Sequence, residues 1–243
     1  MHDDPTPRGA SGVSKSELDR IRAEYERRGR EIPDDFYATD RPANLFLRQG
    51  QERALVRLLT AKGLTPLRGK RLLDVGCGTG QWLSLFESHG MVRGDLAGID
   101  LDPSRVDECR GRLPGLDVRC GDASRLPWPD ATFDLVSQFT VFTSILDDAL
   151  KQRIAADILR VLEPGGHVVW YDFAVDNPKN RQVKGVSRRE LARLFPGCAI
   201  HAERATLAPP IARRLVPLAW PIAAVLEELR LLNTHWMALI TKP

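Results

Sequence analysis

The sequence predicts an α/β fold: a doubly wound, mostly parallel sheet of seven strands, preceded by an N-terminal helical extension. Three observations predict it. From Lys70 onward, short β-forming runs alternate with amphipathic stretches. The first run passes straight into a Gly-rich turn, Gly76-Cys77-Gly78-Thr79-Gly80. Acidic residues then stand at the ends of the next two runs, Asp100 and Asp122. A chain of 243 residues, 43% hydrophobic and 28% charged, is long enough to bury one sizeable core.

The elements follow in order. Met1 to Gly12 is polar and reads as a frayed tail. Leu18, Ile21 and Tyr25 give helical spacing over Ser14–Arg28, with Ser14 and Glu17 at capping-box distance. Pro33 to Pro42 reads as a loop carrying Phe36 and Tyr37, and Asn44–Lys62 as a second helix with Leu47, Gln51, Leu55 and Leu59 in one row. Strands are expected at Arg71–Val75, Leu96–Asp100, Leu116–Cys120, Phe133–Gln138, His167–Phe173, Ala199–Thr206 and Thr234–Thr241. Helices are expected at Gly80–Ser88, Pro103–Arg112, Asp147–Leu162, Ser187–Phe195 and, broken by prolines, Ile211–Leu232. Asp147 and Asp148 read as caps of the long amphipathic helix, which Pro164-Gly165-Gly166 ends.

Composition narrows the class. The most apolar stretch, Leu215–Leu226, holds Pro217 and Pro221 and is shorter than the ~20 residues of a spanning helix. No secretory signal pattern opens the chain. Cys77, Cys109, Cys120 and Cys198 form no CxxC pair and have no His at metal spacing, so free thiols, a cytoplasmic setting and no metal are expected. Charge is uneven. Residues 71–175 carry 10 basic and 16 acidic groups, whereas residues 176–243 carry 11 basic and 5 acidic groups. No basic run has the density or aromatic interleaving of a nucleic-acid binder.

The Gly-rich turn carries the chemistry. Its spacing is GxGxG; a dinucleotide fingerprint would need Gly where Gln81 stands, and no P-loop Gly-Lys-Ser/Thr follows. Asp100 lies 24 residues after Gly76, where one carboxylate can hold a ribose diol. Leu101 can cover a purine face, and Asp122-Ala123 can read its edge. Singly, each acid reads first as a helix cap or turn residue. Together they describe an adenosine site at a topological switch point.

These stretches resemble the class I S-adenosylmethionine-dependent methyltransferases of the type 11 group. The likeness rests on Leu72–Gly80, Ala97–Pro103, Gly121–Pro127, Phe133–Gln138 and Arg160–Gly166, and spans roughly residues 45–241. A finer likeness, in Gln138–Asp147, Trp170–Phe173 with Asn177-Pro178, and Thr234-His235, is to bacterial members associated with polysaccharide or secondary-metabolite biosynthesis. The resemblance implies a Rossmann-like methyltransferase domain over residues 63–243 behind a tail and helical lid over 1–62, with acceptor-side inserts at 174–198 and 207–232. It implies S-adenosylmethionine as cofactor, held by Gly76, Cys77 and Gly78 at the methionine end, Asp74 at the turn or amino group, Asp100 at the ribose, Leu101, Asp122 and Ala123 at the adenine, and Gln138 and Phe139 beside the sulfonium. Tyr37 is placed like a lid residue. It implies methyl transfer to a small-molecule or glycan acceptor, most simply a hydroxyl. Transfer to nitrogen or carbon, or a catalytically silent binding subunit, are the alternatives. Asp172, ending the fifth strand, is the candidate general base, with His201 and His235 as alternatives. The Asn/Asp-Pro-Pro-aromatic motif of nucleic-acid amino methylation is absent, the sequence there being Ser137-Gln138-Phe139-Thr140. The basic last third suits an anionic acceptor, a neutral hydroxylated compound being the other reading; peripheral contact with a membrane and the oligomeric state stay open.

Overall fold

A computed structural model describes residues 10–178 and 180–243. Two N-terminal helices come first: α1 (Ala10–Glu31) and α2 (Pro42–Ala61). The alternating region follows as β1 (Leu72–Val75), α3 (Gln81–Ser88), β2 (Leu96–Asp100), α4 (Pro103–Arg112), β3 (Asp117–Cys120), β4 (Phe133–Phe139), α5 (Asp148–Val161), β5 (Leu162–Phe173), α6 (Arg188–Leu194), β6 (Ala199–Leu207), α7 (Pro209–Leu229) and β7 (Asn233–Thr241). The seven strands form one sheet in the order β3-β2-β1-β4-β5-β7-β6. The first five run parallel, and β7 is antiparallel to both β5 and β6. This is the Rossmann-like methyltransferase fold.

The expected elements form, with ends shifted by a few residues. α4 has the expected bounds because Asp102 caps it, accepting from Ser104 N at 2.9 Å, and Pro103 presets the first turn. Asp147 likewise caps α5 through Ala149 N and Leu150 N. Two expectations on α1 are corrected. The helix already begins at Ala10, so part of the expected tail is helical; residues 1–9 lie outside the described residues. Glu17 does not close a capping box with Ser14, which lies inside the helix. Its carboxylate accepts instead from Leu146 N at 2.6 Å and Asp147 N at 3.3 Å.

Alternation along the strands splits the core between two faces. Leu72, Leu96 and Leu135 pack with Leu55 and Leu58 of α2, Leu83 and Phe86 of α3, and Val106 of α4. Leu73, Val75 and Ile99 pack on the other face with Leu150, Ile154 and Ile158 of α5 and Leu191 of α6, in a cluster that Ile21 of α1 joins. α7 lies against α2, its Ala212, Val216 and Ala223 packing with Ala43 and Phe46. A side chain at Gly50 would collide with the Glu227 carboxylate, so glycine is what lets the two helices approach.

Candidate functional site

The strand order reverses between β1 and β4, and the carboxyl ends of β1 to β4 converge there. β1 ends in Gly76-Cys77-Gly78, whose turn is tied to β2 by Gly76 N and Cys77 N donating to Ile99 O at 2.8 and 3.0 Å. Gly76 and Gly78 have φ of +73° and +52°. A Cβ on Gly78 would lie 2.7 Å from Arg105 Nη2, and one on Gly76 would collide with Val141. Gly76 is therefore required by conformation and by space, and Gly78 by conformation, since the Arg105 guanidinium is the end of a flexible side chain. The Cys77 thiol is buried beneath Gly98, so only its backbone can face a ligand.

Three carboxylates surround this turn. Asp100 accepts from Gly78 N at 2.8 Å on one oxygen and from Asp102 N at 3.0 Å on the other. Each oxygen keeps a lone pair for a further donor. Asp74 sits on β1 and accepts from Ser137 Oγ at 2.7 Å, while its Oδ2 is buried with no partner among the described residues. Burial pushes the Asp74 carboxyl up to about 7. Asp122 accepts from Ser124 N and Oγ, both at 2.8 Å, and so shapes the turn after β3. Leu101 and Ala123 edge the cluster that contains Val75 and Ile99.

This donor set fits S-adenosylmethionine. An unpartnered buried carboxylate oxygen suits an ammonium group. A carboxylate with one free lone pair on each oxygen suits a diol. A Gly-rich turn with no room for side chains suits close backbone approach.

The acceptor half is built differently. Asp172, at the end of β5, is fully buried, and burial pushes its carboxyl up to about 7. Its oxygens accept from Thr143 Oγ1, from Thr143 N at 3.2 Å and from Phe173 N at 3.1 Å. In the structure this carboxylate organises the turn after β4. His201 lies exposed near the start of β6, paired with Leu239, far from the carboxyl edge that β6 reaches only at Leu207. His235 is stacked between Tyr171 and Phe173, and burial lowers it to about 3. It stays neutral.

Gln138 is buried and bonded within the protein, accepting from Val141 N at 3.1 Å. Phe139 stacks on Trp82 at 3.6 Å. Tyr37 is exposed, meeting Phe36 edge-on, and Phe36 in turn lies under Arg213. It belongs to the α7 side of the molecule, not to the Gly-rich turn.

The N-terminal residues that reach the carboxyl ends of the strands are in α1. Arg20 donates to Ser144 O at 2.6 Å, Glu17 holds Leu146 and Asp147, and Tyr25 lies 5.4 Å from the Arg105 guanidinium that covers Gly78. Leu18 and Tyr25 pack against the same cluster as Leu101, Ala123 and Val141. The apolar row Leu18, Ile21, Tyr25 was visible in the sequence; its destination across the strand ends was not.

Residues 73–170 match the family model described as a methyltransferase domain. The chain belongs to the S-adenosylmethionine-dependent methyltransferases. A phthiotriol/phenolphthiotriol dimycocerosates methyltransferase of Mycobacterium leprae is 31% identical over 183 residues, covering 69% of this chain and 66% of that protein. Its Mycobacterium tuberculosis counterpart is 34% identical over 146 residues, covering 58% of this chain and 53% of that protein. The chain thus spans between about half and two thirds of the length of these curated relatives. Among solved structures, the [4+2]-cyclase SpnF is 23% identical, covering 79% of this chain and 80% of that one, with TM-score 0.56. A Haemonchus contortus phosphoethanolamine N-methyltransferase 1, in complex with phosphoethanolamine and S-adenosylhomocysteine, is 13% identical with TM-score 0.64 and covers 94% of this chain and 50% of that one. These two share the fold. Among the described residues, no group of side chains is placed to hold a metal, and no helix is long and apolar enough to cross a membrane.

Proposed function

We propose that the chain transfers a methyl group from S-adenosylmethionine to a hydroxyl of a small-molecule or lipid acceptor. The observation that carries this reading is the set Asp74, Asp100 and Asp122 at the carboxyl ends of three adjacent strands around Gly76 and Gly78, with Asp74 Oδ2 buried and unpartnered. When bound, the cofactor supplies a methyl group on a sulfonium, already activated for in-line attack. The residues do the rest. Asp100 accepts from the ribose hydroxyls while Gly78 N and Asp102 N hold its carboxylate in place. Asp74 Oδ2 meets the ammonium. Leu101 and Ala123 wall the base, and Asp122 offers its edge contact. α1 closes over the strand ends and excludes water.

The acceptor assignment draws support from the mycobacterial relatives, which are named as methyltransferases of phthiotriol and phenolphthiotriol dimycocerosates. Asp172, through Thr143, positions the turn of residues 140–144 beside the transfer point. The surplus of basic groups after residue 175 suits an acceptor carrying phosphate or carboxylate. The test uses methyl-labelled S-adenosylmethionine and a panel of hydroxylated acceptors. Label recovered as a methyl ether supports the reading. Binding of the cofactor without label transfer to any class of acceptor favours a silent module, and label on nitrogen or carbon corrects the acceptor. For an anionic acceptor, kcat/KM falls as salt shortens the Debye length from about 10 to about 3 Å.

A further inference from the structure

We propose that α7 seats this protein on an anionic lipid surface. The proposal does not rest on the reading of methyl transfer. α7 is apolar on two opposite sides. Ala212, Val216 and Ala223 face inward and pack on α2. Leu218 stands exposed before the break at Ala219, and after it Ile222, Val225 and Leu229, at spacings of three and four, form an outward stripe continued past the helix end by Leu231 and Leu232. Leu218 is 86% exposed and Leu231 85%. A continuous apolar face of a helix is ordinarily covered by a core or by lipid. This helix has a protein core on one side only.

The charges around the stripe select the occupant. Residues 209–226 contain no acid, and Arg213 and Arg214 stand exposed at the leading end. Neither makes an ion pair among the described residues; Arg213 stacks on Phe36. At the far end Glu227 is turned inward to Arg53, Glu228 is paired with Arg57, and Arg230 is paired with Glu203. The stripe is thus an apolar strip with a cationic leading end and neutralised acids, the pattern of an interfacial helix on anionic lipid. A second copy fits less well. A twofold antiparallel pairing centred on Ile222 sets Arg214 against Arg230, and a parallel pairing sets Arg213 and Arg214 against themselves.

Placement adds a reason for such contact. α7 leaves the sheet at Leu207, the carboxyl end of β6, and returns at Asn233, both at the edge that carries the candidate site. The backbone breaks from helical geometry at Ala219, two residues before Pro221, so the stripe is bent. α7 therefore stands at the same edge of the sheet as the candidate site, and its docking brings that edge to the bilayer surface.

The experiment is flotation of the full chain with vesicles of equimolar phosphatidylglycerol and phosphatidylcholine, against phosphatidylcholine alone. The expected result is partitioning at least about 10-fold stronger onto the anionic vesicles, given about fivefold per surface arginine, and weakened by added salt. The double variant Leu218→Glu and Ile222→Glu is expected to lose at least about 10-fold of that partitioning. Both side chains are exposed, so thermal stability and affinity for S-adenosylhomocysteine are expected to be unchanged. Should that variant fold poorly, quenching of Trp220 fluorescence by brominated lipid reads the same contact in the intact chain, with Trp220→Phe as its control. No flotation, equal flotation on neutral vesicles, or no effect of the double variant with no Trp220 quenching overturns the proposal. So does a dimer in sedimentation that the double variant makes monomeric, since the stripe then belongs to a second copy.

Discussion

The two halves of the carboxyl edge handle polar groups in opposite ways. Around β1 to β3 the acids are held by backbone N–H groups and keep valence to spare: Asp100 has one donor per oxygen, and Asp74 Oδ2 has none. Around β4 and β5 most polar groups are closed on one another, Trp170 Nε1 being buried without a partner among the described residues. Asp172 has three donors, Gln138 spans Val141 N and Tyr171 O, and the Tyr171 hydroxyl donates to Thr206 and accepts from Gln51. A buried group with unused capacity is costly unless a ligand completes it. The first half is therefore built to receive a polar ligand, and the second to hold shape.

The largest effect that could break this contrast is at Gly78. Gly78→Val places a branched side chain at φ +52° against Arg105, and is expected to weaken S-adenosylhomocysteine binding by at least about 100-fold in calorimetry. A folded variant that binds normally would make the turn purely structural. Next is Asp74. A carboxyl near 7 must ionise to meet an ammonium, so affinity is expected to fall up to about 10-fold per pH unit below pH 7, and Asp74→Asn to bind weakly and without that slope. A pH-independent wild type would remove Asp74 from the ligand.

Asp172 tests the other half. As an organiser it should tolerate Asp172→Asn with at most about a 10-fold loss in kcat and an unchanged pH profile, whereas loss of a general base costs about 100-fold or more and moves the profile. The smallest expected effect is on stability. Asp74 and Asp172 hold protons in the folded state up to about 7 but release them near 4 when unfolded, so the native state binds more protons in between. Stability of the ligand-free chain should then decline as pH rises through that window. The melting temperature is expected to drop between about pH 4 and 7 relative to the double Asn variant, which lacks this contribution. An identical slope in both would deny these two groups their shifts.

The same contrast explains what the sequence made legible. Strands, helices and the cofactor half are local in sequence: a β-run, a Gly-rich turn, an acid at the next strand end, a capped helix as at Asp102-Pro103. Each pattern sits within about ten residues, where spacing implies geometry. What the sequence hid is long-range. Glu17 looked like half of a capping box, but its partners are 129 and 130 residues away. Tyr37 looked like the lid aromatic because its loop precedes the domain, yet Tyr25 is the one near the turn. Asp172 ends a strand as a catalytic acid would, and only the fold shows Thr143 closing over it. The outward face of α7 was hidden by the inward one, since both are apolar.

The measurement that bears most directly on the central claim is calorimetric titration of wild type and Asp100→Ala with S-adenosylhomocysteine at neutral pH. Asp100 is the residue whose spare lone pairs define the receiving half, and its carboxylate also holds Gly78 N and Asp102 N. The account predicts saturable binding by wild type and a loss of at least about 1.5 kcal/mol, or about 10-fold, in the variant with its fold intact. Equal affinity in the two proteins, or no binding by wild type at millimolar ligand, would contradict it.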